Sequence, residues 1–579
     1  MDCQSTSVSA ILGSAPAVVD AIQQATSAHV FLQTLADAGV CLAFGIPGGT
    51  ASPLFDALRS VRGMRYVATR HEAGAAFAAL GYGRATGIPA LVLTTSGPGV
   101  TNTLTAVASA YAEEVPMIVL SGEVPLRAYG RGSLQDGTSA GWRSHEVMRP
   151  VTRWCATLSA SSAATSTAAK SLLASTGERP GPVFVSVPLD VGSSVAPRTE
   201  IHLSSRVGPE PPSESACRHL ARELARASRP LMVLGNGARR AGTHARDVAE
   251  RLAIPVAVTA HAKGVFPERH PLYLGVLGLG QHPSVDEYLQ VRPDVSVIIG
   301  SGLDDLATNG WSLPLLGSES SFQVDREVHS LGRSMAFTHL IAGDAAHLLE
   351  AVARFLPTDV ARPIRAQPRF AKLSPESQHD DAVPLKPPRV LRALAEAFPD
   401  AVWCSDIGEH LAYALHYLQV DRPDDFHNFL GFGSMGSGIG ATIGIQVASP
   451  ERQVVCVCGD GGFAMMLGEI LTCVEQRLPV VFAVMNDGRW NMVEHGFRTV
   501  YGAVPNGFVS AVADYAAAAK AVGAIGIRLS RPADLDPTTL RDAATLRRPV
   551  VLDIRIDARE SLTPGTRAAS IRHFCAEVS

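Results

Sequence analysis

Short, continuous aliphatic runs, each opened or closed by Gly or Pro, alternate with stretches of helical spacing along almost the whole chain, and few folds accept that alternation. TRHEAGAAFAALGYGRATG (69–87) carries apolar residues at helical spacing and is followed by the runs ALVLTTSGPG (90–99) and PMIVL (116–120). PLMVLG (230–235), IPVAVT (254–259), DVSVIIG (294–300) and SFQVD (321–325) repeat the pattern, as do AVWCSD (401–406), QVVCVCGDGG (453–462), PVVFAVMND (479–487) and PVVLDIRID (549–557). Runs that are apolar throughout, rather than at every second position, belong to strands covered on both faces, hence to parallel sheets wrapped by helices. Two Pro-rich stretches, 196–215 and 357–387, interrupt the pattern as linkers do. The expectation is an α/β chain of three doubly wound parallel-sheet domains, at 25–195, 205–356 and 385–560, after a small-residue leader over 1–24. A chain of 579 residues is also too long for a single core.

Bulk properties exclude several classes of function. Net charge is −4, so no basic field exists to hold a nucleic-acid backbone. No apolar run is long enough to span a bilayer. The nine cysteines form no CxxC pair and no cluster with metal-ligand spacing, which reads as free thiols in a reducing compartment. The first Lys or Arg is Arg59, so the N-terminus lacks the charge of a targeting peptide, and the expected location is cytoplasmic. A charged fraction of only 18% points to surface covered by another subunit.

The strongest chemical signal starts at Gly459-Asp460-Gly461-Gly462, directly after one aliphatic run, and ends at Asn486-Asp487, directly after the next. The 29 residues from Gly459 to Asp487 hold one crossover helix between parallel strands. Both aspartates then stand at the carboxyl ends of adjacent strands, where open α/β sheets bind ligands. Glycines there let backbone N–H groups approach a diphosphate, and a following helix N-terminus favours its charge. Two carboxylates beside a diphosphate suit a hard cation such as magnesium, shared with the phosphate oxygens. Taken singly, GDGG is a tight turn and Asn-Asp-Gly a hairpin signal; the spacing and flanking strands favour the ligand reading. A second signal is Glu72, which opens an otherwise apolar, small-residue helix where an ionised carboxylate is costly without a partner.

Together these segments resemble the GDG…NN signature and the glutamate-bearing helix of thiamine-diphosphate enzymes, within the acetolactate synthase-like superfamily. The match extends over about residues 27–560, with one departure: Asp487 stands where the signature has its second Asn. The resemblance implies a pyrimidine-binding first domain, a central domain and a diphosphate-binding third domain. It implies that Asp460, Asp487 and the backbone carbonyl of Arg489 hold magnesium, and that Glu72 bonds the aminopyrimidine ring and promotes its imino tautomer. The cofactor would carry the difficult chemistry while the protein orients it. Gly49 in FGIPGG and the segment TSGPGVTN (95–102) match the pyrimidine-side loops. Glu409 and His410 match a diphosphate loop in which glutamine is usual at the first position, and Met435 the bulky residue that bends the cofactor. Gly459, Gly461, Gly462, Asn491 and Met492 complete the implied cofactor contacts, and Gln135 in LQD (134–136) would face substrate.

In the central domain the family's flavin-contacting GVRFDDR segment reads GSGLDDL (300–306), and GMHG becomes Gly278-Leu279-Gly280-Gln281. Arginine clamps phosphate bidentately, so FAD is doubtful. LGNGARRAG (234–242) lacks the GxGxxG spacing of a dinucleotide loop. The family's large substrate-selecting aromatic falls near Gly496, which opens the pocket to a different acceptor. The expected activity is decarboxylation of a 2-oxo acid followed by carboligation, in a homodimer or homotetramer. The alternatives are a non-ligating 2-oxo acid decarboxylase of specialised metabolism, a lyase, and a catalytically silent binding subunit.

Overall fold

The computed structural model describes residues 25–199, 211–357 and 370–562. The leader 1–24, Cys3, Cys575 and the middles of both Pro-rich stretches lie outside the described residues. Three six-stranded sheets follow one another along the chain, and every named strand pair is parallel.

The first sheet holds β1 (Leu42–Gly45), β2 (Arg65–Ala68), β3 (Ala90–Thr94), β4 (Met117–Glu123), β5 (Trp154–Thr157) and β6 (Pro182–Pro188), in the order β2-β1-β3-β4-β6-β5. The second holds β7 (Leu231–Leu234), β8 (Val256–Thr259), β9 (Tyr273–Leu277), β10 (Val295–Ile299), β11 (Ser320–Asp325) and β12 (His339–Ala342), ordered β12-β11-β10-β7-β8-β9. The third holds β13 (Val402–Ser405), β14 (Phe426–His427), β15 (Val454–Gly459), β16 (Val481–Asn486), β17 (Ile525–Leu529) and β18 (Val550–Arg555), ordered β14-β13-β15-β16-β18-β17. The first and third sheets thus share one winding, and each reverses direction between its first strand and its third. Strands such as β4 and β6 are buried at every position, as sheets sandwiched between helix layers require.

One core joins the first and third sheets through two helices, Glu72–Thr86 and Ser437–Ala448. Both are rich in Gly and Ala and are buried over most of their length. They touch backbone to backbone: a Cβ on Gly81 would overlap the Ala441 carbonyl, and one on Gly444 the Ala78 carbonyl. The central sheet is fastened to the third by Lys263, fully buried, whose ammonium bonds Glu268 at 2.9 Å and the carbonyls of Leu415 and Leu418. Among the described residues no helix is long and apolar enough to cross a membrane.

Between β15 and β16 the chain makes two short helices, Asp460–Met465 and Glu469–Gln476, where the spacing predicts one. The break at Gly468 lets Glu469 start a second helix whose carboxylate accepts the backbone N–H groups of Arg70 and His71, immediately before Glu72.

Candidate functional site

In the third sheet the direction reversal lies between β13 and β15, and the loops leaving both strands, with that leaving β16, converge at their carboxyl ends. Asp460 follows β15: its Oδ1 accepts the N–H of Gly461 and its Oδ2 the N–H of Gly488, each at 2.9 Å. Asp487 follows β16 and accepts from the Arg489 N–H and the Asn491 side-chain amide, both at 3.0 Å. Burial raises the pKa of Asp460; burial, then the charge of Asp460, pushes Asp487 up to about 7. Both shifts favour the neutral acids, and a cation between the two would act against them. The small antiparallel bridge beside them runs Trp490 N–H to the Phe508 carbonyl and Ser510 N–H to the Gly488 carbonyl, and uses no carbonyl of Arg489.

Asp406, which closes AVWCSD, was not singled out by its sequence context, although an acid ending an aliphatic run is a signal of the same kind as Asp460. It is fully buried, accepts the N–H groups of Gly436 and Gly438 at 3.0 Å, and is pushed up to about 6 by burial. It thereby fixes the turn that carries Met435, which is half-buried, and a Cβ on Gly462 would overlap it. The His410 ring lies against Gly459 and is held neutral by burial, down to about 4; its Nε2 is buried without a partner. The Asn491 carbonyl oxygen and the Tyr413 hydroxyl are likewise buried and unpartnered. Met492 packs on the core of the third sheet.

Glu72, Gly49 and Gln135 gather at the equivalent end of the first sheet. Glu72 is the first residue of its helix and half-buried, and its Oε2 accepts from the Asn102 amide at 2.9 Å. Asn102 is the partner that an acid at this position demands, and it too went unremarked in TSGPGVTN. Gly49 follows β1 in a single tight turn, beside Thr50, whose hydroxyl bonds Thr95 and Ser96. Gln135 has a left-handed backbone, φ 60°, and its amide oxygen meets the Thr95 hydroxyl at 3.5 Å. Among the described residues no hydrogen bond joins the Glu72 carboxylate to Asp460 or Asp487, so the two groups stand apart within one chain.

Glu409, His495 and Ser561 add a group that spacing alone does not reveal. Glu409 is buried and bonded by the His495 Nδ1 at 2.9 Å and the Ser561 hydroxyl at 3.2 Å. Burial alone would lower the His495 pKa, but the bonded Glu409 carboxylate raises it.

A phosphate-accepting glycine loop, two paired acids and buried polar atoms facing the same strand ends fit a diphosphate and its cation. One such group at the strand ends of each of two like-wound sheets is the arrangement expected of an enzyme with a two-ended, diphosphate-bearing cofactor. The family descriptions "Thiamine pyrophosphate enzyme, N-terminal TPP binding domain", "central domain" and "C-terminal TPP binding domain" match residues 25–140, 217–352 and 406–554. The chain is 29% identical to the acetolactate synthase isozyme 3 large subunit of Escherichia coli (strain K12) over 571 residues, 94% of this chain and 97% of that one. It is 30% identical to an acetolactate synthase of Mycobacterium bovis over 577 residues, 95% and 91% of the two chains. The crystal structure of benzoylformate decarboxylase from Polynucleobacter necessarius shares the fold at a TM-score of 0.81 and 21% identity, covering 93% of this chain and all of that one. The chain belongs to the thiamine pyrophosphate enzyme family. It is a thiamine-diphosphate-dependent enzyme of the carboligase and decarboxylase kind, built like the large subunits of acetolactate synthase.

Proposed function

We propose that the chain decarboxylates a 2-oxo acid and joins the retained acyl carbon to a second carbonyl compound, as the name acetolactate synthase says of its relatives. The observation that carries this reading is the pairing of an Asn102-held Glu72 in one half-site with an acid pair at a glycine loop in the other. In this reading Asp460, Asp487 and the carbonyl of Arg489 hold magnesium. The glycine loop Gly459–Gly462, in which Asp460 already takes the Gly461 N–H, and the neutral His410 ring receive the phosphates, and Met435 supports the cofactor from the turn that Asp406 fixes. Thiamine diphosphate supplies the carbon nucleophile and the electron sink when bound. Glu72, oriented by Asn102, holds a proton at the pyrimidine end, while Gln135, in its strained loop, faces the substrate.

The site is proposed to be completed by a second copy of the chain, in a homodimer or a homotetramer built from it. Apolar side chains stand exposed around the Asp460 half-site, among them Phe432, Met465, Val493 and Val509, and such a patch on a folded chain marks a contact surface. The three-domain division at 25–195, 205–356 and 385–560 and a cytoplasmic location belong to the same proposal. So does function without flavin: Gly302 and Leu306 stand where the segment GVRFDDR has its arginines, and Gln281 is tied to Gly278, Asp286 and Asn309.

Product analysis with pyruvate as sole substrate tests the reaction. Acetolactate or acetoin supports ligation; acetaldehyde alone assigns the chain to simple decarboxylation.

A further inference from the structure

The Glu409–His495 pair sits where a carboxylate is least welcome. Glu409 is the first residue of the Glu409–Tyr417 helix and the immediate neighbour of His410 in the loop leaving β13. Its charge contributes to raising Asp487. One turn along the helix, the Tyr413 hydroxyl is 3% exposed as a residue, has no partner, and feels the charges of both Glu409 and Asp487. The two carboxylates therefore flank one buried polar spot at the strand ends that would receive a diphosphate. An uncompensated Glu409 would repel it.

His495 supplies the compensation by geometry. Its Nδ1 faces the Glu409 carboxylate at 2.9 Å, and its Nε2 faces the Ala558 carbonyl at 3.2 Å. With Nε2 donating to the Ala558 carbonyl, one further proton shared between Nδ1 and the Glu409 carboxylate leaves the pair without net charge. The same Ala558 carbonyl accepts from Asn491, whose amide also bonds Asp487, so the pair is built into the frame of the acid site. Glu494, the neighbour of His495, is bonded by Arg489 and Arg498 instead.

We propose that His495 is a positioning residue of the cofactor site: bound to Glu409, it cancels that carboxylate and lets the diphosphate enter. The proposal rests on the cofactor reading given above. It requires the two residues to act as one unit, so that the damage from losing the histidine vanishes when the acid is lost too.

The test is calorimetric titration of thiamine diphosphate, in magnesium-containing buffer, into the full chain and three variants, with melting curves to confirm folding. His495→Gln should weaken binding at least about tenfold, a difference of about 1.4 kcal/mol. Glu409→Gln should bind within about threefold of the parent, because without the carboxylate burial leaves the ring neutral and no charge remains to cancel. The double variant Glu409→Gln/His495→Gln should return to within about threefold of the parent. Equal losses in single and double variants, or parent-like binding by His495→Gln, would overturn the proposal. If His495→Gln does not fold, Glu409→Gln alone decides, since weaker binding by that variant contradicts the proposal. A parent chain that takes up no thiamine diphosphate would bring down the cofactor reading and this proposal together. A parent that binds while all variants bind equally removes only the proposal.

Discussion

The Asp460 carboxylate accepts the backbone N–H of Gly488 at 2.9 Å, so the loop leaving β15 is pinned to the loop leaving β16. Asp460 thus ties the two strand-end loops together in addition to its proposed role towards magnesium, whereas among the described residues Asp487 bonds within its own loop and to the Asn491 helix. Asp460→Ala should abolish magnesium-dependent uptake of thiamine diphosphate. Asp487→Asn retains an oxygen and should stay within about tenfold of the parent. Calorimetric titration with and without magnesium checks both; equal damage would show that the metal site is misassigned.

Asp487 also predicts a pH dependence for the cofactor-free protein. Its folded pKa of about 7 lies above the ordinary 3.8, so the folded chain holds this proton more tightly than the unfolded one. The resulting advantage is full below about pH 4 and is lost as pH rises through about 7. Asp487→Asn does not titrate. Its melting temperature, measured against the parent in the absence of metal, should be closest to the parent's near pH 4 and gain on it by a few degrees towards pH 8. A constant gap across that range would contradict the carboxylate pairing.

Glu72→Gln should fold and bind cofactor but lose activity by roughly 10²- to 10⁴-fold, the usual range for a displaced proton-transfer group. Asn102→Ala should lose less, because the acid remains and only its orientation is relaxed. Exchange of the cofactor C2 proton, followed by NMR, reads the step directly. Parent-like exchange in Glu72→Gln would remove Glu72 from the mechanism.

Mixing tests the shared site. Glu72→Gln and Asp460→Ala chains are each expected to be inactive, yet a heterodimer of the two holds one intact site of its two. Activity should therefore reappear after subunit exchange. Confirmed exchange without recovery would place both half-sites' function within one chain.

Purified protein should show no stoichiometric flavin absorbance, and added FAD should leave activity and melting temperature unchanged. A bound flavin would mean that other groups replace the arginines absent at Gly302 and Leu306.

The strands and the placement of Asp460 and Asp487 were legible because an uninterrupted aliphatic run that stops at Gly or Asp already describes a buried parallel strand and its end. Glu72 was legible as an acid out of place on an apolar helix. Its partner Asn102 was not, since nothing local marks which of several polar residues thirty positions on will face it. The Glu409–His495 bond spans 86 residues and depends on how two helices pack, so neither residue announces the other. The second helix between β15 and β16 was missed for a like reason: Gly468 permits the break, but the contact of Glu469 with the Glu72 loop makes it worthwhile.

The Gly81–Ala441 and Gly444–Ala78 contacts leave no layer of side chains between the Glu72–Thr86 and Ser437–Ala448 helices to act as a bearing. Tightly packed small residues resist rearrangement, and adding even one methyl group would force the backbones apart. The first and third sheets of a chain must then travel as a single block, so that admitting a substrate cannot involve swinging one against the other. Substitutions in the strand-end loops, around Gln135 and from Gly488 to Val512, carry no such packing cost. The helix pair is the part of the molecule least free to drift.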